Sequence, residues 1–130
     1  MKLVKSRKRV KEFAEVFTPP HIVDGMCNVL SKECFEPSTT FLEPCAGEGA
    51  IVLEVLKRKF ENCKCRKDFT VALQSVYAME IQADNVMILI DNIIDLCEKY
   101  FKPNAKDIEI INNHCILCDS LKVMKLLAEW

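Results

Sequence analysis

The sequence predicts an α/β fold, a parallel sheet flanked by helices. Two observations carry the architecture. Helical and strand-like patterns follow one another as a helix, then strand-helix-strand-helix-strand, then a final helix, and this alternation favours parallel strands joined by helical crossovers. Gly47 and Gly49, two of only three glycines, fall together in a turn between a strand pattern and a helix pattern. Half of the 130 residues are apolar and 28% are charged, enough to bury one core.

The chain opens on a basic arm, residues 1–14. Residues 1–11 hold Lys2, Lys5, Arg7, Lys8, Arg9 and Lys11 and no acid. The remaining chain carries 12 basic and 19 acidic side chains, so a basic arm precedes a body of net charge −7. Clustered Lys and Arg suit phosphate, yet termini of this kind are commonly solvated, and the arm alone does not make a nucleic-acid binder. No apolar segment of signal-peptide type follows it, and no apolar run reaches the roughly 20 residues of a membrane span. The expectation is a cytoplasmic protein without a membrane span, its eight cysteines reduced.

Thr18, Pro19 and Pro20 read as a helix start, with the Thr18 hydroxyl as cap, and Ile22, Val23, Met26, Val29 and Leu30 continue it to about Ser31. Thr40 to Glu43 reads as a short buried strand. The turn 44–49 leads into a helix whose apolar face is Ala50, Leu53, Leu56 and Phe60. Glu61 to Asp68 reads as a loop, Val76 to Ile81 as a strand, and Ala83 to about Tyr100 as a long helix with Val86, Leu89, Ile90, Ile93, Leu96 and Cys97 inward. Pro103 and Asn104 end it. Ile108 to Cys118 supplies at least one more strand, and Leu121 to Trp130 a last helix.

Ligands of such folds bind beyond the carboxyl ends of the strands. The stretch FLEPCAGEGAIVLEVL has the required strand-turn-helix layout, with glycines where the backbone must pass close to a ligand. It lacks G-x-G-x-x-G and it lacks Gly-Lys-Ser/Thr, while Glu43 and Glu48 would repel phosphates. A cationic ligand without phosphate suits the turn better.

FLEPCAGEGA resembles the glycine-rich motif of class I S-adenosylmethionine-dependent methyltransferases, in the form found in adenine-specific DNA methyltransferases of restriction-modification systems. Glu43 stands for the usual Asp, and Cys45-Ala46 reverses the usual order. Three further segments follow the family's order: EVFTPPHIV (15–23) resembles its upstream aromatic-Thr-Pro motif, YAMEIQADNV (77–86) its second motif and ILCDSL (116–121) its third. The resemblance implies a Rossmann-like methyltransferase fold with a partial parallel sheet (strands 1 to 3), residues 15–130 forming the S-adenosylmethionine-binding half of the domain.

It also implies roles. Phe17, Thr18 and Pro19 would close the pocket over the methionine part of S-adenosylmethionine. Glu43 would sit by its sulfonium or amino end, and Pro44, Cys45, Ala46, Gly47 and Gly49 would form the turn. Glu80 would accept both ribose hydroxyls, Ile81 would pack on adenine, and Asp119 with Ser120 would face the adenine amino group.

The family's Asn/Asp-Pro-Pro-Tyr/Phe motif, which holds the amino group of a flipped base, is missing, since the one Pro-Pro is Pro19-Pro20. The expectation is therefore a cofactor-binding portion that does not methylate alone: a fragment, one part of a split enzyme that acts on DNA when complete, or a noncatalytic methyltransferase-like module. In the family the glycine-motif strand is central. Here Thr40–Glu43 would be an open sheet edge, inviting a homodimer or a partner chain.

Two rival sites carry less. Cys63-x-Cys65 with His114-Cys115-x-x-Cys118 invites zinc, but on a strand Cys115 and Cys118 face opposite sides. Cys45 at a helix start could be a nucleophile, though filling the turn explains it better, and neither His21 nor His114 has a nucleophile fixed beside it by motif.

Overall fold

The computed structural model describes residues 3–13 and 15–129. Met1, Lys2, Ala14 and Trp130, at the ends of the predicted arm and of the last helix, lie outside the described residues. Three strands, β1 (Phe41–Glu43), β2 (Val76–Glu80) and β3 (Cys115–Leu117), form a parallel sheet in the order β1-β2-β3. Phe41 lies beside Val76, Ala78 beside Cys115 and Glu80 beside Leu117.

Helices α1 (Arg7–Phe13) and α2 (Pro20–Asn28) and a 3₁₀ turn (Lys32–Phe35) precede the sheet. Helices α3 (Ala50–Glu61) and α4 (Arg66–Ser75) connect β1 to β2, α5 (Ala83–Glu98) and α6 (Ala105–His114) connect β2 to β3, and α7 (Ser120–Ala128) follows. Both crossovers step in the same direction, so right-handed connections put all four connecting helices on one face. Their mutual contacts, α3 on α4 and α5 and α6 on α4 and α5, agree.

The core lies between those helices and the sheet. Val52, Val55, Leu56 and Phe60 of α3 meet Leu89, Ile93 and Cys97 of α5 and Val76 and Ala78 of β2. At about 1.5–3 kcal/mol per large apolar side chain buried, this layer is the main favourable contribution to the fold. The opposite sheet face is sparsely covered: Leu42, Tyr77 and Ile116 are exposed, and Tyr77 stacks on His114 with ring centroids 4.2 Å apart. No helix among the described residues is long and apolar enough to cross a membrane.

Several expectations need correction. The cap of α2 is Pro19, and no side chain, Thr18 included, hydrogen-bonds to its free amides. The buried face of α3 is Val52, Val55, Leu56, Lys59 and Phe60, whereas Ala50 is exposed. Lys59 is fully buried because its ammonium is caged by carbonyls of Glu36 (2.8 Å), Pro37 (3.5 Å) and Thr39, and burial pushes its pKa down to about 8.

The predicted 61–68 loop contains the start of α4, and most of the predicted 108–118 strand is α6. The isoleucines there suit a strand, but Asn104 and Asp107 form a capping box that starts a helix. Asp107, with no exposed surface, ties α6 to α4: Thr70 Oγ1 donates to it at 2.7 Å and Arg66 pairs with it. Burial raises its pKa, but hydrogen bonds from the Asn104 amide, Thr70 and Arg66 outweigh that and leave it lowered.

Candidate functional site

A cleft of about 880 Å³ opens beyond the carboxyl ends of the strands. That is within the range of small-molecule sites. Each wall comes from a different part of the chain: Glu15, Val16, Phe17 and Thr18 before α2, Pro44 to Glu48 after β1, Glu80 and Ile81 after β2, and Cys118 to Leu121 after β3. Parallel strands bring these segments together because all three end on the same side.

The turn after β1 is shaped by its glycines. Gly47 adopts φ +58°, and a Cβ there would come 3.1 Å from the Phe17 ring, so the aromatic of the upstream segment packs on bare backbone. Gly49, at φ +103°, caps α3, and its Cβ would lie 2.5 Å from Leu89 Cδ1.

The amides of Cys45, Ala46, Gly47 and Gly49 donate to Glu43 Oε1, the Met79 carbonyl, Glu80 Oε1 and the Ala46 carbonyl at 2.9–3.0 Å. A turn whose amides are already engaged is a poor phosphate cradle. Among the described residues the lining also carries Glu12, Glu15, Glu48, Glu80 and Asp119 and the cation Lys11, while Arg9 and Lys5 beside it pair with Glu15 and Glu48 and leave the cleft acidic on balance. A ligand with a positive charge and no phosphate suits this field.

Of the sequence-predicted residues, Phe17, Thr18, Pro44, Cys45, Ala46, Gly47, Glu80, Ile81, Asp119 and Ser120 line the cleft. Pro19, Glu43 and Gly49 do not. Pro19 accepts the first turn of α2, Glu43 folds back on the Cys45 amide, and Gly49 packs on α5.

Glu80 is 8% exposed; its Oε1 takes the Gly47 amide at 3.0 Å, and its Oε2 takes the Gln82 amide at 2.7 Å and Asn85 Nδ2 at 3.2 Å. With about four acceptor positions on a carboxylate, roughly one is left for a ligand hydroxyl. The expected acceptance of two hydroxyls thus finds most of the carboxylate engaged by the protein. Asp119 Oδ1 caps α7 through the Leu121 and Lys122 amides (3.1 and 3.4 Å), while Oδ2 has no hydrogen-bond partner among the described residues.

No family model, no curated protein and no solved structure gives a significant match to this chain.

Sequence reasoning missed the part the arm plays. Arg9 grips Asp84 with two nitrogens at 3.0 and 3.1 Å and reaches Glu15 Oε2 at 2.8 Å. Lys5 pairs with Glu48 at 3.1 Å and Asp84 at 2.9 Å and donates to Asn85 Oδ1. Leu3 accepts the Phe17 amide at 2.8 Å, so the arm folds back beside the cleft. Arg9 and then Lys5 hold the Asp84 carboxyl well below the usual carboxylate range.

Two buried atoms at this junction, Arg9 Nε and Glu15 Oε1, have no hydrogen-bond partner among the described residues. The partners of the arm were hidden because Asp84 lies 75 residues from Arg9. Glu15, inside the quoted EVFTPPHIV segment, was the nearest visible signal.

The cysteines divide by environment. Burial pushes the Cys97 and Cys115 thiols up to about 12, whereas Cys45 and Cys65 are exposed. Among the described residues no group of three or more His, Cys, Asp and Glu side chains could hold a metal ion.

Proposed function

We propose that the cleft binds S-adenosylmethionine and that the chain is the cofactor-binding portion of an adenine-specific DNA methyltransferase of restriction-modification type. One observation carries this reading: four segments resembling the family's motifs, spread between residues 15 and 121, line a single cleft. In this reading Ile81 packs on adenine, Asp119 Oδ2 accepts its amino group, and the free position of Glu80 takes a ribose hydroxyl. Phe17 covers the methionine part beside Gly47. The surrounding carboxylates favour the sulfonium and ammonium groups.

When bound, the cofactor supplies an electrophilic methyl group. The protein's part is to hold and orient it, because the chain has no Asn/Asp-Pro-Pro-Tyr/Phe tetrapeptide to hold a target base. In this reading that group, and the contacts to DNA, come from another segment or chain that meets the open edge of β1. The missing tetrapeptide equally favours a second reading, a noncatalytic module that keeps the fold and binds a partner.

Isothermal calorimetry with S-adenosylmethionine, S-adenosylhomocysteine and ATP tests the first reading. Micromolar to millimolar binding of the first two, with ATP weaker, is expected for a small-ligand site of this kind. Absence of heat with both adenosyl ligands at high protein concentration would leave the partner-binding reading standing.

A further inference from the structure

We propose that Asn85 is the positioning residue of the cleft and that, through it, the basic arm sets how tightly the cleft holds its ligand. As regards the ligand this rests on the adenosyl reading; the hydrogen-bond path stands without it. Asn85 is in the first turn of α5 and has no exposed surface. Its side-chain carbonyl accepts from the Lys5 ammonium, and its amide nitrogen donates to Glu15 Oε2 at 2.8 Å and Glu80 Oε2 at 3.2 Å.

Charge fixes which way this amide points. Turned over, its oxygen would face two carboxylates and its NH₂ group an ammonium. A buried amide used on both sides in this way is a rigid connector. Glu80 continues the path, since its other oxygen takes the Gly47 amide at 3.0 Å. Three hydrogen bonds thus run from Lys5 through Asn85 and Glu80 to the glycine turn, and Gly47 is where the Phe17 ring packs.

Arg9 secures the same junction from the other side by gripping Asp84, the neighbour of Asn85, together with Glu15. The shared partner Asp84 is half exposed, so the docked arm is held here by ion pairs open to solvent on one side. Changes in the arm can therefore shift docking, and with it the orientation of Glu80 and the turn.

Hydrogen exchange at the Gly47 amide reads this path without any ligand. In a Lys5→Met, Arg9→Met double variant, whose changes lie in the arm and outside the core, Gly47 is expected to exchange about tenfold faster, while the core amides of Leu56 and Leu89 keep their protection. Asn85→Leu should do the same if it folds, and the arm variant decides the matter if it does not.

Calorimetry of the arm variant with adenosine should then show affinity about tenfold weaker, and 2′,3′-dideoxyadenosine little changed, because only the first offers hydroxyls to Glu80. A merely structural role would weaken both nucleosides alike. Unaltered Gly47 exchange in the arm variant overturns the inference, and so does a parallel loss for both nucleosides. Should the wild type bind neither, the adenosyl reading fails and the exchange measurement alone decides the path.

Discussion

At the scale of single residues, the two glycines of the turn differ in what confines them. Gly47 has a left-handed φ of 58° that other residues can adopt at modest cost, and the obstacle to a Cβ is a ring edge at 3.1 Å. Gly49 combines φ 103° with a Cβ position only 2.5 Å from Leu89 Cδ1. Gly49→Ala should therefore cost about 2–4 kcal/mol and Gly47→Ala about 1 kcal/mol, read as the loss of stability in urea unfolding. Combined with Leu89→Ala, itself costly in the core, the loss should be smaller than the sum of the two single losses; strict additivity would count against the clash.

Asp107 is the other decisive residue. It accepts from the Asn104 amide at 2.9 Å and from Thr70 at 2.7 Å, so Asp107→Ala removes a capping box and the link between α4 and α6. A loss of about 2–4 kcal/mol is expected in the same assay, and a loss below about 1 kcal/mol would make the link incidental.

At the scale of elements, ion pairs tie α1 and the residues before it to the body. The Asp84 carboxyl is depressed by Arg9 and Lys5, so its contribution to docking is present above the ordinary aspartate value, about 4, and is lost as pH falls below it. Relative to unstructured peptide at the same pH, amides across residues 3–13 should be protected at pH 6 and lose protection progressively below about pH 4, with the core unaffected at first. Asp84→Asn should lose that protection at both values. Because Asp84 is half exposed, raised salt should loosen the arm as well.

Elements also mark where the sequence misled. The long helix was legible because Val86, Leu89, Ile93 and Cys97 repeat along one side of α5. α6 was obscured by Ile108, Ile110 and Ile111, whose local preference for strand lost to the Asn104–Asp107 box. Lys59 was unreadable as a core residue, since only the folded chain brings three carbonyls around its ammonium.

At the scale of the whole molecule, β1 is an edge and one sheet face is thinly covered. Among the described residues β1 pairs only with β2, and Leu42, on that strand, is 45% exposed. Parallel sheets are normally covered on both faces, so we expect association through this edge. Light scattering at high concentration should show a dimer that Leu42→Lys reduces to monomer. A monodisperse wild-type monomer would count against self-pairing and leave a different chain as the partner.

The sequence by itself determined the parallel α/β order, the strand-turn-helix around Gly47 and Gly49, and ten of the 21 residues that line the cleft. These rest on local patterns: periodicity, turn chemistry and short motifs read within about 20 residues. Only the tertiary structure decided that Lys5 and Arg9 fold back on Asp84, Asn85 and Glu15, and that Glu80 spends most of its acceptors on the protein. Those are pairings between distant charges, and a charge chooses its partner by proximity after folding, which no local pattern encodes.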